Sequence, residues 1–433
     1  ALGRSCNMSD PIYAQTWYDE NSIKPSKSSN FNEKLNRYDF AVIGGGLAGL
    51  VLSLKLSQGG ATVAVFESKT IGSGASGRNG GFCSAGWAAN PIKIKRLLGE
   101  EKAELFEDLG VLGFEWMKKQ VSKPTYQKVN VKFGELNLSL AKFNNKDESS
   151  LNPHNLKKYL ISPRYKSGLI NKDSFQFNPL NFMRILMKEC LENGVHIFEN
   201  CSVLKVERSD VINSFELLTK SDQNVIAQKV IYATGGYGGL CTSKLDKVLL
   251  PIKTFIAVTD PLPGTLKDHI HTEFMVSDNR RAGNYYRRLD GDRLLWGMGI
   301  SAFGNKSLST IKRDAFKDLK SHFPNLAQEM STSGLSFDYV WSGFMGYSRN
   351  FLPYVGELSA NKYALAGFGG HGMNTAPISA ICLSDFLLGN RNSLNSFNGV
   401  RHLPHYGSFG KVAAEIVYKY LSLKDFISEY RPI

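Results

Sequence analysis

The chain has 433 residues, 42% of them hydrophobic and 11% aromatic, enough for about two domains with large cores and too apolar for a disordered polymer. Its formal charge of +13 comes from lysines and arginines scattered through ordinary amphipathic segments, and no nucleic-acid module accompanies them, so solvated side chains rather than a nucleic-acid partner account for it. No apolar run is long enough to span a bilayer and the first residues lack a secretory pattern, so a soluble, cytoplasmic protein is expected.

Residues 1–36 are polar and interrupted by Pro11 and Pro25, and read as an arm on the surface with Trp17-Tyr18 as its anchor. Phe40 to Ile43 is a buried strand, and Gly44-Gly45-Gly46-Leu47-Ala48-Gly49 follows as G-x-G-x-x-G opening a helix to about Gln58. Gly44 serves the tight turn, Gly46 the approach of a pyrophosphate, and Gly49 the packing of helix on strand. Leu47 and Ala48 then present the helix N-terminus to the phosphates. Ala61 to Phe66 is a second strand, and Glu67, 18 residues beyond Gly49, is placed to accept hydrogen bonds from an adenosine ribose. This strand-turn-helix-strand-acid order marks a dinucleotide site.

A second glycine-rich loop, Gly72-Ser73-Gly74-Ala75-Ser76-Gly77-Arg78-Asn79-Gly80-Gly81, comes directly after Glu67 and Ser68, where a simple NAD domain needs none. It resembles the flavin-contacting loop of the FAD-dependent D-amino-acid oxidase superfamily, and G-A-S-G-R-N-G-G is most similar to its gamma-glutamylputrescine oxidoreductase-like branch. The resemblance implies an α/β (α+β) fold: a Rossmann-like FAD-binding domain of glutathione-reductase type with an interleaved β-rich substrate domain. It also implies FAD contacts at Ser68, Ser76, Arg78, Asn79, Gly80 and Gly81.

Farther along, Glu100 to Val121 has helical periodicity with Leu105, Leu109, Leu112 and Trp116 as its core face, and residues 141–158 read as a mobile polar loop. A helix opens at Asn178-Pro179 and ends at Asn193-Gly194, followed by strands at Val195–Phe198 and Val203–Val206. The resemblance brings the Val203 amide to the adenine. Lys229 to Ala233 is another buried strand, closed by Ala233-Thr234-Gly235-Gly236, small residues past which a cofactor can approach the backbone.

Residues 241–340 turn β-rich and aromatic. With a two-residue Asp290-Gly291 turn, Leu289 pairs with Asp292 and Arg288 lies opposite Arg293; like charges prefer the solvent face. Tyr285, Arg287, Leu294 and Trp296 then form an inward wall, with Tyr285 and Arg287 as candidate substrate-binding and catalytic residues. A three-residue turn would move Leu294 and Trp296 to the other face.

Trp341 to Gly356 resembles the segment by which the superfamily chain re-enters the FAD domain, and places Gly346 at the cofactor. Gly367-Phe368-Gly369-Gly370-His371-Gly372-Met373-Asn374 follows a strand at Tyr363–Ala366 and precedes a helix from about Thr375 to Leu388. It resembles the element along the flavin ring, with expected contacts at Gly367, Gly370, His371, Gly372, Met373 and Asn374. His371 is either a catalytic base or, with glycines around it, a backbone-positioning residue. Arg401 to Phe426 reads as an amphipathic basic helix packed on the body through Val412, Ile416 and Tyr420, with a membrane-surface helix as the minority reading.

Domain limits follow: an arm at 1–36; an FAD-binding domain at 37–95, 165–240 and 341–400; a substrate-binding domain at 96–164 and 241–340; and a tail at 401–433. Six cysteines (Cys6, Cys83, Cys190, Cys201, Cys241, Cys382) show neither C-x-x-C nor zinc spacing, so reduced thiols and no metal are expected. Two departures from the superfamily matter. Glycine and D-amino-acid oxidases hold the substrate carboxylate with an arginine where Met345 stands here. Sarcosine oxidases attach flavin to a cysteine that is missing between Trp341 and Gly356, so non-covalent FAD is expected.

The implied activity is oxidation of the C–N bond of an amine or amino acid, with hydride passing to flavin N5 and oxygen or a quinone or other electron carrier as acceptor. An L- or D-amino-acid oxidase or dehydrogenase is the narrower alternative. A flavin monooxygenase shares the Gly44–Glu67 unit but carries a late G-D-A-type motif where this chain has G-G-H-G. A non-catalytic FAD-binding subunit is the remaining class.

Overall fold

The computed structural model describes residues 11–140, 150–211, 213–238, 242–280, 283–304 and 306–430. Two sheets organise them. The first has eight described strands, in the order β16 (Tyr354–Ser359), β17 (Lys362–Ala366), β10 (Val225–Tyr232), β1 (Tyr38–Ile43), β2 (Val63–Phe66) and β7 (His196–Phe198), with β9 (Phe215–Thr219) linking β10 to β8 (Val203–Arg208). From β17 to β7 the neighbours run parallel, which demands helical crossovers and buries both faces. Phe40, Val42, Val65 and Leu365 therefore enter one core with the Leu47–Gln58, Glu100–Val121, Pro179–Glu192 and Gly372–Leu387 helices, and Ala41, Ile43, Phe66 and Ala364 enter another behind them.

The second sheet has nine described strands, in the order β15 (Phe337–Tyr347), β11 (Leu250–Thr259), β14 (Arg293–Ser301), β13 (Tyr285–Leu289), β12 (Met275–Asp278), β4 (Lys132–Ser139), β6 (Ser167–Gln176) and β3 (Phe82–Cys83), with β5 (Ser150–Leu151) on β6. Its side chains alternate between faces. Leu136, Val276, Tyr286, Leu294 and Trp296 pack under the Leu308–His322 and Pro324–Thr332 helices. Ile256, Val258, Leu295 and Trp341 pack the opposite way, on Trp17, Tyr18 and Leu180, and so face the first unit.

Several expectations change. Sheet membership puts Phe82–Cys83, Ser167–Gln176 and Trp341–Tyr347 in the second sheet, and Glu100–Val121 in the core of the first. The expected limits at 96, 165 and 341 therefore do not follow sheet membership, and 341 falls inside β15, because strand partnership is decided by long-range ladders that local pattern does not record. On Glu100–Val121, Leu105 and Leu112 are exposed, and Ala103, Phe106, Gly110, Phe114 and Met117 make the buried face. Close approach decides this: a Cβ at Gly113 would lie 2.2 Å from the Asn374 carbonyl oxygen. The arm does not simply lie on the surface. A Thr16/Asp19 capping box starts the short Trp17–Glu20 helix, and Tyr18 is fully buried with its hydroxyl donating to the Asn79 carbonyl at 3.0 Å. The expected Arg401–Phe426 helix runs instead from Ser408 to Tyr430, with Val412, Ile416 and Tyr420 exposed. Of the polar stretch 141–158, residues 141–149 lie outside the described residues, as do Cys6 and Cys241; Ser150–Leu151 is β5 and Pro153–Leu156 is helical.

His322 closes its helix wholly buried among Tyr165, Trp296 and the Arg164 and Arg280 guanidiniums, with Asp318 one turn back. Burial pushes it down to about 4 against the opposing pull of Asp318. An unfolded histidine titrates near 6.5, so between about 6.5 and about 4 the unfolded chain binds more protons and stability falls as pH drops. Thermal melts across that window should show the loss, with a shallower dependence in His322→Gln. Equal pH dependence in both proteins would contradict this role.

Candidate active site

Four backbone segments converge at the C-terminal ends of β1, β2, β10 and β17. Gly44 has φ +113°, and a Cβ there would sit 2.5 Å from the Ala233 carbonyl oxygen; one at Gly49 would sit 2.1 Å from that of Gly44. These two glycines clamp helix and strands together. Gly46 differs: it caps the Leu47–Gln58 helix with no side-chain hydrogen bond, and a Cβ would meet only Ser76 Oγ, at 3.2 Å. The helix thus presents the first-turn amides of Leu47 and Ala48, that of Leu47 donating to Ser76 Oγ at 2.9 Å. Glu67 stands beside this turn, accepting from the Gly45 and Lys69 amides at 2.9 Å each and from Ser68 Oγ at 3.2 Å. The Cys201 amide donates to the Glu67 carbonyl at 2.8 Å, which brings Val203, the first residue of β8, to the same end.

The Ala233 amide donates to the Ile43 carbonyl at 2.8 Å, Gly235 has φ +60°, and Thr234 Oγ1 is buried with no partner among the described residues. Within the second glycine loop, Asn79 ties the Ala75 and Ser76 carbonyls to the Gly81 amide. Arg78 is buried, its guanidinium donating to the Ala14 and Ser73 carbonyls, away from the first loop. Gly367, Gly369 and Gly370 all have positive φ, and the Gly369 amide donates to the Gly346 carbonyl at 3.0 Å. Helix Gly372–Leu387 starts three residues earlier than expected, with His371 as a cap that makes no side-chain cap bond. Met373 is buried in the core and Asn374 Nδ2 donates to the Gly86 and Gly110 carbonyls, so both side chains are structural.

Across from the Gly367–Gly372 loop lies the inner face of the second sheet. Here the hairpin register differs from expectation: Leu289 pairs with Arg293, Arg287 with Leu295 and Tyr285 with Gly297. The turn takes three residues because Asp292 as well as Gly291 adopts positive φ, which sends Leu294 and Trp296 to the helix-covered face. Arg288 and Arg293 are not opposite; each has its own carboxylate, Glu273 and Asp338. Tyr285 does face inward, against Gly80 and Phe82, with its hydroxyl paired to Thr254 and burial pushing it up to about 12.

Arg287 also faces inward, but its donors go to Tyr18 Oη (3.1 Å), the Phe177 carbonyl (3.0 Å) and Gln176 Oε1 (3.3 Å). Its geometry is that of a brace. Arg287→Ala is expected to lower folding stability by about 2 to 3 kcal/mol through the stranded Tyr18 and Phe177 groups. A carboxylate-binding role would instead raise the substrate Kd and leave the thermal midpoint in place; melts and flavin-reduction titrations separate the two.

Sequence reasoning missed Glu135 on β4. Its carboxylate accepts from Ser84 Oγ at 3.0 Å and Ser277 Oγ at 2.9 Å, and it lies within electrostatic reach of His371. Burial lowers the His371 pKa, partly offset by the Gly369 backbone and by Glu135. Tyr347, Met345 and Gly370 complete the enclosure: a Cβ at Gly370 would lie 3.2 Å from Tyr347 Oη and 3.1 Å from Met345 Sδ. The arrangement combines an extended backbone cradle, a hydroxyl (Thr234) with no partner among the described residues and a helix N-terminus with one carboxylate and one imidazole in electrostatic reach of each other. Glycines and helix-start amides of this kind fit a dinucleotide.

The family model for DAO, FAD dependent oxidoreductase, matches residues 39–386, most of the chain. The chain belongs to the DAO family of FAD-dependent oxidoreductases. It is 28% identical over 421 residues to a probable oxidoreductase OrdL of Haemophilus influenzae, spanning 92% of this chain and 94% of that protein. It is 24% identical to gamma-glutamylputrescine oxidoreductase of Escherichia coli over 413 residues, 91% and 94% of the two chains. Among solved structures, glycine oxidase from Geobacillus kaustophilus superposes with a TM-score of 0.63 at 18% identity, covering 82% of this chain and 95% of that one. L-amino acid deaminase from Proteus vulgaris gives 0.65 at 15% identity, covering 88% and 100%. These likenesses bear on the fold. As a DAO-family member the chain is an FAD-dependent oxidoreductase, and among its described residues no helix is long and apolar enough to cross a membrane.

Proposed function

We propose that this DAO-family chain holds FAD non-covalently and oxidises the C–N bond of an amine, in the cytoplasm. The observation that carries the substrate class is Glu135: a carboxylate fixed by two serine hydroxyls, within electrostatic reach of the His371 imidazole. The likeness to gamma-glutamylputrescine oxidoreductase supports the reading.

FAD, when bound, supplies at N5 an acceptor for the hydride leaving the carbon next to nitrogen. The Gly44–Gly49 turn, with Ser76, is assigned to the pyrophosphate, Glu67 to the ribose, the Val203 amide to the adenine, and Thr234 and the Gly367–Gly372 loop to the flavin end. Amides at the start of the Gly372–Leu387 helix would favour negative charge there. The substrate nitrogen arrives as an ammonium and is oriented by Glu135. It must lose a proton before hydride can depart, and His371, whose pKa desolvation lowers, is assigned as the base. Tyr285 and Tyr347 shape the walls, and Arg287 acts through Tyr18 as a positioning residue. The imine hydrolyses after release.

The test is anaerobic mixing of the yellow protein with a panel of primary and secondary amines, polyamines and L- and D-amino acids, and with NADPH. Bleaching by amines is the expected result. Bleaching by α-amino acids alone would narrow the activity to an amino-acid oxidase or dehydrogenase, and bleaching by NADPH alone would replace it with a monooxygenase. No bleaching by any compound would leave an FAD-binding subunit.

A further inference from the structure

The C-terminal helix Ser408–Tyr430 is mounted with its acids inward. Glu415 accepts from the Ala302 amide at 3.0 Å and Ser301 Oγ at 3.2 Å, Glu429 accepts from the Arg164 guanidinium at 2.9 and 3.1 Å, and Asp425 is half-buried on the same side. Outward stand Phe409 (82% exposed), Val412, Ile416 (62%), Tyr420 (64%), Leu423 and Ile427. Lys419 and Lys424 are exposed among them, and among the described residues of the helix no carboxylate is on that side. A helix on the surface of a soluble domain turns its polar face to water. This one does the reverse.

The exposed strip continues beyond the helix. Leu403 and Tyr406 are exposed just before it, and the Pro404 carbonyl lies 3.5 Å from Arg349 Nη1. Two residues on, Phe351 is exposed, with the Lys93 ammonium 3.7 Å from its ring centroid. An apolar strip edged with cations, whose helix carries no outward carboxylate among the described residues, matches the interface of a bilayer carrying anionic headgroups: the apolar chains enter the acyl boundary while lysines reach the phosphates. The +13 formal charge of the chain adds to the attraction. A second copy of the same face would set lysines against lysines.

We propose that the Ser408–Tyr430 helix is a peripheral anchor lying in the plane of an anionic membrane surface. The FAD-loaded full chain is floated with vesicles of phosphatidylglycerol and phosphatidylethanolamine and, separately, of phosphatidylcholine alone. It should float with the first, not the second, and less at high salt. The double variants Lys419→Glu/Lys424→Glu and Ile416→Ser/Tyr420→Ser should each lower the bound fraction at least about ten-fold, with FAD content and thermal midpoint kept. Failure of the unaltered protein to float, or undiminished flotation of both variants, would overturn the proposal. So would a dimer that Ile416→Ser/Tyr420→Ser dissolves without any vesicle binding by the parent, which would assign the face to a second copy.

Discussion

Gly46→Val is expected to give a soluble, folded and colourless protein. The backbone there, φ −78° and ψ −179°, suits an L-residue, and the new Cβ would press only on Ser76 Oγ at 3.2 Å, a side chain that can turn. Folding should therefore survive. The valine would nevertheless fill the space in front of the helix start, which the proposed arrangement gives to the pyrophosphate. Gly44→Val makes the informative contrast, because positive φ and a backbone oxygen 2.5 Å away would cost the fold itself. Flavin absorbance per mole of desalted protein, read beside a thermal melt, separates the two outcomes. The parent protein should release intact FAD on denaturation, there being no cysteine between Trp341 and Gly356. A yellow Gly46→Val protein would mean that the dinucleotide lies elsewhere.

Glu135→Gln should keep the flavin and lose the substrate. The replacement retains the shape between Ser84 and Ser277 but removes the charge, and a charge-assisted hydrogen bond is worth about 1.5 to 3 kcal/mol, roughly 10- to 150-fold in the Kd of the amine. A second readout distinguishes this from loosened packing. Glu135 raises the His371 pKa against burial, so its neutralisation should move the acid limb of kcat/KM to lower pH. Unchanged affinity with an unmoved limb would remove Glu135 from the substrate site.

How much of this was legible depended on how local the determinant is. The turn at Gly44–Gly49, its helix to Gln58 and the acid at Glu67 are written within thirty consecutive residues, and the structure has them in those places. The hairpin register hung on a single conformational choice, whether Asp292 enters the left-handed region, and one residue of slip exchanges the faces. Glu135 carries no local signature. It becomes a site only when β4 pairs with β12 and the turn after β3 delivers Ser84. The amphipathic period of the C-terminal helix was plain, but which side meets the body is decided by distant partners such as Arg164.

The central claim, that this DAO-family protein removes hydride from the carbon bearing nitrogen, is tested most directly by anaerobic flavin reduction with the best amine of the panel and with its α-deuterated form. The expected result is slower bleaching by the deuterated amine, with one carbonyl product per flavin after imine hydrolysis. Equal bleaching rates without a carbonyl product would contradict it.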